Sequence, residues 1–231
     1  DEVAMLSRSF NQMAEQLESA DRQQRELEQM RADLIAWVGH DLQTPLASIR
    51  AILEALEDGV VDDPATVQRY LNTAQRDVRS LSSLIDDLFQ MAQLNAGGIP
   101  LHREPSSLAD LISDTLESFA EPAARQQVKL EGSVAADVDP VTMDTQRIGR
   151  VLNNLIGNAI RHTPSQGEVK VRAQKSSAGV EVTVSDTGEG IRPQDLPHIF
   201  ESFYRGEKSR SRMTGGAGLG LAISRGIVQA H

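Results

Sequence analysis

The chain has 231 residues, a formal net charge of −10 at pH 7, no cysteine and an aromatic share of only 3%. The acidic balance argues against nucleic acid as a partner, and the lack of cysteine excludes disulfides and thiol catalysis and fits a reducing compartment. The low aromatic share favours long helices packed through aliphatic side chains. No segment reaches the ~20 apolar residues of a membrane span or resembles a signal peptide, so we expect a soluble chain.

The first part of the chain predicts a coiled-coil helix. From Val3 to Leu27, residues that are all apolar except Gln24 follow one another in steps of three and four, which is the seam of a coiled coil. Two steps of three then fall together, from Gln24 to Leu27 and from Leu27 to Met30, a break of phase that locally overwinds a supercoil. Two interpretations stay open: the break carries a rotational signal, or it is a tolerated irregularity.

A polar heptapeptide, Gly-His-Asp-Leu-Gln-Thr-Pro at 39–45, lies inside the next helical stretch. His40 lies about 200° around the helix from Val38, so it faces solvent, with Thr44 one turn later on the same face. The carboxylate of Asp41 can hold the imidazole in one tautomer and stabilise the cation formed on nucleophilic attack. The alternative is an ordinary surface histidine. The opposite, buried stripe is predicted to contain Val38, Leu42, Ile49, Leu53 and Leu56.

Two helices and a short connector predict an antiparallel hairpin. Gly59 is a stop signal for the first helix near Asp58, and Pro64 marks the start of the second. One apolar stripe per helix cannot bury itself within a hairpin, so we expect a homodimeric four-helix bundle. The second helix is predicted to run to Ala96, before a hinge at 97–98, with its seam at Leu71, Ala74, Val78, Leu81, Ile85, Leu88 and Ala92.

The rest of the chain predicts an α/β domain. Helical periodicity over 108–126, and again from Thr145, places apolar residues on one face of each helix. Strands are predicted over 99–104, 128–131, 136–141, 168–174 and 179–185, the last two forming a hairpin.

Three polar clusters interrupt this domain, and the first consists of Asn153, Asn154 and Asn158. Asn154 and Asn158 are four residues apart and share one helix face, with Arg161 following. Asparagine is a mediocre helix former, and its amide oxygen suits a hard cation such as Mg²⁺, which takes few protein ligands together with phosphate and water. A solvated polar face is the alternative.

The other two clusters are rich in glycine. Ser-Asp-Thr-Gly-Glu-Gly at 185–190 follows a strand, where glycines let a ligand approach the backbone and Asp186 can accept a hydrogen bond from an exocyclic amine. An ordinary tight turn is the alternative. Gly-Gly-Ala-Gly-Leu-Gly at 215–220 opens a helix and leaves N–H groups for phosphate. The basic stretch between them, 205–214, is interpreted as a mobile lid or as an exposed charged loop.

In this order the motifs resemble those of a bacterial two-component sensor histidine kinase, over nearly the whole chain. The heptapeptide at 39–45 resembles the phosphoacceptor box, and Asn-Asn-Leu-Ile-Gly-Asn-Ala at 153–159 resembles the asparagine box. The first glycine box, the phenylalanine box and the second glycine box are matched by Asp-Thr-Gly-Glu-Gly at 186–190, Ile-Phe-Glu-Ser-Phe-Tyr-Arg at 199–205 and Gly-Ala-Gly-Leu-Gly at 216–220.

The resemblance implies an α+β fold in three parts. Residues 1–20 resemble the last helix of a HAMP signal-relay module, which in this family follows a transmembrane segment. Residues 21–97 would form the dimerisation and phosphotransfer hairpin of a dimeric four-helix bundle, and 98–231 an α/β sandwich ATP-binding domain of the Bergerat (GHKL) type. In the family two more strands follow the last helix, so we expect this chain, which stops at His231, to lack them.

The same resemblance implies the cytoplasmic portion of a bacterial inner-membrane sensor, tied to the membrane only through segments N-terminal to this chain. It also implies catalytic roles for four residues. His40 would take the γ-phosphoryl group of ATP, with Asp41 as its acid/base partner. Thr44 would position a water that hydrolyses the phosphate on a partner regulator, and Arg205 would approach the γ-phosphate.

A nucleotide site is implied as well. Asn158, with Asn154, would hold Mg²⁺ and the phosphates with help from Arg161, and Asp186 would recognise the adenine amine. Glycines would open the backbone to the nucleotide at Gly188 and Gly190 and cradle its phosphates at Gly216, Gly218 and Gly220.

Three residues of the heptapeptide depart from Ser-His-Glu-Leu-Arg-Thr-Pro, which is more common in the family. They are Gly39, Asp41, which keeps a carboxylate with shorter reach, and Gln43, which removes a cation. Two other classes compete with a kinase. A GHKL ATPase of the gyrase, chaperone or mismatch-repair type uses a catalytic glutamate near the asparagines, which positions 153 and 154 do not offer.

A nucleotide-binding signalling scaffold, or pseudokinase, is the other competitor. The intact Asn158, Asp186, Arg205 and Gly218 argue against it. We therefore expect ATP-dependent autophosphorylation of His40 and phosphotransfer to an aspartate of a cognate response regulator, together with phosphatase activity toward that regulator. The stimulus, the identity of the regulator, and whether transfer to His40 occurs within or between protomers stay open.

Overall fold

A computed structural model describes residues 13, 17, 21, 24, 25, 38, 39, 41–95, 98–177, 179–204 and 218–231. Contacts divide the chain into two units, Asp1–Ser83 and Leu84–His231. The predicted HAMP-like helix falls almost wholly outside the described residues, as do the coiled-coil seam and its break of phase. Within the described part, no helix is both long and apolar enough to cross a membrane.

The helix that follows the heptapeptide's histidine, α1, is described over residues 41–57. It ends as the sequence predicts, because Gly59 takes a positive φ of 64° and the Val60 N–H donates to the Ala55 carbonyl oxygen at 3.2 Å. This wide backbone hydrogen bond with a left-handed glycine is the Schellman end of a helix. The predicted stop signal at Gly59 is confirmed.

The second helix, α2, spans Pro64–Asn95. Asp63 precedes it and accepts a hydrogen bond from the Thr66 backbone N–H at 2.9 Å, which lowers the pKa of the Asp63 carboxyl. Pro64 occupies the first helical position, where its missing N–H costs nothing. A cap and a proline therefore start the helix where the sequence predicts.

One residue of the predicted buried stripe of α1 is exposed. Leu53 is 55% exposed, whereas its neighbour Ile52 is only 9% exposed. The prediction for Leu53 is therefore wrong for a single chain. Leu46, seven residues earlier, is also exposed, so Leu53 belongs to a second apolar stripe that the chain does not cover by itself.

The described residues of the second unit form two small sheets, with strands β1 (Glu104–Ser106), β2 (Lys129–Val134), β3 (Val141–Met143), β4 (Glu168–Ser176) and β5 (Gly179–Asp186). Strands β1 and β3 pair antiparallel. The other sheet has the order β2-β4-β5, with β2 parallel to β4 and β4 antiparallel to β5. The predicted hairpin of β4 and β5 is confirmed.

Two of the predicted strands are much shorter than expected. The segment 99–103 forms no strand, and pairing begins only at Glu104. The reason is that the His102 N–H donates to the Asp144 Oδ2 at 2.9 Å instead of to a neighbouring strand. Of the predicted strand 136–141, only its last residue, Val141, is paired.

Among the described residues, the helices after α2 are α3 (Leu108–Arg125), α4 (Thr145–His162) and α5 (Gly220–Ala230). Residues Val169 and Val171 on β4 are fully buried and alternate with more exposed neighbours, as expected for a strand with one face on a core. They lie in one apolar cluster with Ile112 of α3 and Ile156 of α4. The helices α3 and α4 thus form one layer on the three-stranded sheet, and α4 also contacts α5.

Candidate nucleotide site

Helix α4 carries a row of polar side chains on one face. The Arg161 Nη1 donates to the Asn158 Oδ1 at 3.4 Å, and the Asn158 Nδ2 donates to the Asn154 Oδ1 at 3.4 Å. The Asn154 Nδ2 in turn donates to the Ser224 Oγ on α5 at 2.8 Å. The structure therefore brings together Arg161, Asn158 and Asn154, and it adds a fourth member, Ser224, that the sequence analysis missed.

Asn153 does not belong to this row. Its side chain is exposed and donates back to the Gly149 carbonyl oxygen one turn earlier, at 2.8 Å. The solvated-face alternative therefore describes Asn153, whereas Asn154 and Asn158 are half-buried.

The glycines that open α5 lie against this row and against the chain before it. A Cβ on Gly220 would lie 2.2 Å from the Asn154 Oδ1, so the amide occupies the space that a side chain would need. Gly218 has a φ of 70°, and a Cβ there would lie 2.9 Å from the carbonyl carbon of Phe203. Position 218 therefore requires glycine, and a side chain at position 220 would displace the Asn154 amide.

The loop after β5 packs onto the end of α4. The Asp186 Oδ1 accepts a hydrogen bond from the Gly188 N–H at 2.8 Å, which closes a tight turn. A Cβ on Gly188 would lie 2.6 Å from the His162 carbonyl oxygen. Gly190 differs, since it has a φ of 69° and open space around it. Gly188 thus serves close packing in this structure, while Gly190 leaves the backbone accessible.

The segment before Arg205 is held by an aspartate that the sequence analysis also missed. Asp195 accepts from the Arg192 Nε at 2.9 Å and from the Tyr204 hydroxyl at 2.8 Å. The hydrogen bonds from Arg192 and Tyr204 lower the pKa of Asp195. No local sequence pattern predicts the hydrogen bond between Tyr204 and Asp195, because the two residues lie nine positions apart in an irregular segment.

The donor set of α4 fits Mg²⁺ carried by a phosphate ligand. The Oδ1 atoms of Asn154 and Asn158 are hard amide oxygens of the kind that this cation accepts. Among the residues that the structure describes, no group of three or more histidine, cysteine, aspartate or glutamate side chains could hold a metal ion. A cation at the asparagines would therefore need further ligands from phosphate and water.

The remaining predicted site residues divide into two groups. Asp41 is half-buried and Thr44 is exposed, both on α1. His40, Arg205 and Gly216 lie outside the described residues, so their predicted roles stay predictions.

Two protein families match separate parts of the chain. The His Kinase A (phospho-acceptor) domain matches residues 30–97. The histidine kinase-, DNA gyrase B- and HSP90-like ATPase matches residues 143–231. The heptapeptide lies in the first match, and the asparagine row and α5 lie in the second.

Relatives resemble the chain along most of its length. The signal transduction histidine-protein kinase BaeS of Escherichia coli is 37% identical over all of this chain and 47% of its own length. The phosphate regulon sensor protein PhoR of Pseudomonas aeruginosa is 34% identical over 89% of this chain and 46% of its own length. The chain thus spans about half the length of these relatives.

Two solved structures resemble this chain over most of its length. The histidine kinase AdeS of Acinetobacter baumannii is 28% identical with a TM-score of 0.63, covering 83% of this chain and 86% of AdeS. Full-length ShkA in complex with AMPPNP is 26% identical with a TM-score of 0.62, covering 86% of this chain and 41% of ShkA. A phospho-acceptor hairpin followed by an ATPase domain of this type places the chain in one family: it belongs to the two-component sensor histidine kinases.

Proposed function

We propose that the protein transfers the γ-phosphoryl group of ATP to His40 and from there to an aspartate of a response regulator. The observation that carries this proposal is the row of Arg161, Asn158 and Asn154 beside the glycine start of α5. This row places the Arg161 guanidinium and two amide oxygens next to a helix N-terminus, which suits a metal–triphosphate ligand. The ATPase match and the AMPPNP bound by ShkA support ATP as that ligand.

The residues of α4 and α5 bind and orient the nucleotide. Asn158 and Asn154 would hold Mg²⁺, which neutralises phosphate charge when it is bound, and Arg161 adds a positive charge beside them. Leu219, at the N-cap of α5, has no polar side-chain atom, so the first N–H groups of the helix are left for phosphate or water. Gly216, Gly218 and Gly220 would let the backbone approach the phosphates. Catalysis by this domain is then positioning and charge neutralisation.

Base recognition falls to the loop after β5. The turn at Gly188 holds the Asp186 carboxylate at the strand end, where it would accept from the adenine amine, and Gly190 gives access to the backbone. Arg205 would approach the γ-phosphate from the segment that Asp195 precedes.

The phospho-acceptor chemistry falls to α1. Asp41 would take the proton that His40 releases on attack and would hold its imidazole in one tautomer. Thr44 is exposed on α1, where it would orient a water toward the phosphoaspartate of the regulator. The protein would then act both as kinase and as regulator phosphatase.

A homodimer completes the hairpin in this proposal. Leu71, Val78 and Ile85 recur every seven residues along α2 and are 41%, 49% and 53% exposed in the single chain. Apolar residues at this spacing form a seam that a second helix pair covers. We also propose, from the resemblance of residues 1–20 to a HAMP helix, that the full-length protein is a membrane-associated sensor.

The test is labelling with γ-labelled ATP and Mg²⁺. We expect wild type to take up an acid-labile, base-stable label that His40→Gln removes, since a phosphoramidate has that stability. His102→Gln is the matched control, because it replaces an exposed histidine and should keep the label. Label that persists in His40→Gln would contradict the proposal. Nucleotide binding without any label in wild type would instead indicate a signalling scaffold.

A further inference from the structure

The Ser224 side chain ends the polar row of α4. It lies on α5, four residues after Gly220 and on the same face of that helix, and it is only 6% exposed. Its hydroxyl oxygen accepts the hydrogen bond from the Asn154 Nδ2 at 2.8 Å. Nothing in the sequence motifs assigns a role to this serine.

The direction of the hydrogen bonds in the row is set at its other end. Arg161 can only donate, because a guanidinium has no acceptor atom. The Asn158 Oδ1 accepts from it, which turns the Asn158 Nδ2 toward Asn154 as a donor. The Asn154 amide must then present its oxygen to Asn158 and its N–H₂ group to α5. A half-buried N–H₂ group at that position needs an acceptor, and Ser224 supplies it.

The first residue of α5, Gly220, lies close against the same amide. A Cβ there would lie 2.2 Å from the Asn154 Oδ1 and 3.0 Å from its Nδ2. The amide therefore lies directly over the first residue of α5, and its oxygen faces the start of that helix.

Resting on the function proposed above, we propose that Ser224 is a positioning residue that orients the Asn154 amide for Mg²⁺-nucleotide binding. Without the serine oxygen, the Asn154 N–H₂ group loses its acceptor and the amide is free to rotate. Its oxygen then no longer points steadily toward Asn158 and the α5 N-terminus. The affinity for Mg²⁺-nucleotide falls, while the chemical step at His40 is affected less.

The experiment compares Mg²⁺-ATP kinetics and Mg²⁺-ADP affinity in variants of the whole chain. We expect Ser224→Ala to raise KM for Mg²⁺-ATP and the dissociation constant for Mg²⁺-ADP by about three- to tenfold, as the loss of one hydrogen bond predicts, with a smaller change in kcat. The pair Ser224→Thr and Ser224→Val separates the hydroxyl from side-chain volume. Thr should stay near wild type, and Val should behave as Ala does. Ser118→Ala, which removes a hydroxyl that bonds within α3, should leave both constants unchanged.

A double-mutant cycle tests whether Ser224 acts through Asn154. In an Asn154→Ala background, Ser224→Ala should cause no further loss of nucleotide affinity. Full additivity would overturn the proposal, as would a lowered Tm with unchanged KM and affinity, or equal constants for the Thr and Val variants.

The two proposals can fail separately. A wild-type chain that binds nucleotide without phosphorylation of His40 contradicts only the proposed function. The nucleotide affinities of the variants then test whether Ser224 positions Asn154. A chain that binds no nucleotide contradicts both.

Discussion

Asp144 shows how much one carboxylate can organise in the ATPase domain. As the N-cap of α4 it accepts from the Arg147 N–H at 3.0 Å, and its other oxygen accepts from the His102 N–H at 2.9 Å. Burial acts to raise the pKa of Asp144, but the hydrogen bonds from these two backbone groups, together with the nearby charges of Arg147 and His231, outweigh it and hold the pKa below its ordinary value. The charged form is therefore the one that the folded state favours.

We expect Asp144→Ala to lower the free energy of unfolding at pH 7 by about 1–2 kcal/mol, the usual cost of a lost N-cap. Because the folded-state pKa is lowered, this contribution is fully present above the unfolded pKa of about 3.9 and is lost as the pH falls through the folded pKa. Urea unfolding of wild type and variant between neutral and acid pH checks both statements.

Asp144→Asn is the control for charge, since it keeps an acceptor oxygen and the side-chain volume. It should cost less than Asp144→Ala at pH 7 and show a weaker dependence on pH. An equal loss for Asp144→Ala at every pH would contradict the role of the ionised carboxylate.

At the scale of the element, α2 presents an uncovered apolar stripe. Leu71, Val78 and Ile85 lie on one side at heptad spacing and are exposed in the single chain. Exposed aliphatic residues in such a row are typical of an interface that a partner helix buries.

We expect Val78→Asp to convert the dimer to a monomer, because a carboxylate would have to be buried twice across a symmetric interface. The dissociation constant of the proposed dimer should rise by at least about 100-fold. Ser80→Asp, which adds the same charge at a neighbouring exposed position, should leave the dimer intact. Sedimentation velocity over a range of concentrations measures both, and a dimer that survives Val78→Asp would contradict the proposed bundle.

At the scale of the whole molecule, the end of α2 is joined to the ATPase domain within the second unit. Asp87 of α2 forms an ion pair with Arg150 of α4, and both side chains are largely buried. Burial raises the pKa of Asp87, and the Arg150 charge opposes that rise. The ionised pair therefore carries a desolvation cost, which the charge and the hydrogen bond of Arg150 offset only in part.

We expect Asp87→Asn and Arg150→Gln each to lower the free energy of unfolding by about 1–3 kcal/mol, because each leaves the other charge without its partner. The double variant should be less damaging than the sum of the two, with a coupling energy of about 1–2 kcal/mol. Chemical unfolding of the four proteins gives this value.

The exposed pair Glu121–Arg125 is the matched control for that cycle. Its coupling energy should stay below about 0.5 kcal/mol, as for surface pairs on a helix. Equal coupling energies in the two cycles would show that the ion pair of Asp87 and Arg150 stabilises the fold no more than an exposed pair does.

Local signals were sufficient for much of this protein. The glycine at 59 and the proline at 64 placed the ends of α1 and α2, because caps act within one helical turn. The spacing of four residues placed Asn154 and Asn158 on one face of α4, and the ordered motifs identified the family. These features depend on residues that are close together in the chain, so they can be predicted from the sequence alone.

Only the tertiary structure decided which distant residues meet. The His102 N–H donates to Asp144, and residues 99–103 form no strand. Leu53 is exposed in the single chain although its helical phase predicted burial. Asn154 reaches Ser224, 70 residues later, which no motif predicted. Periodicity reports the face on which a residue lies, with a period of 3.6 in a helix and 2 in a strand. The partner on that face is set by how the elements pack, and packing brings together residues whose separation in sequence carries no signal.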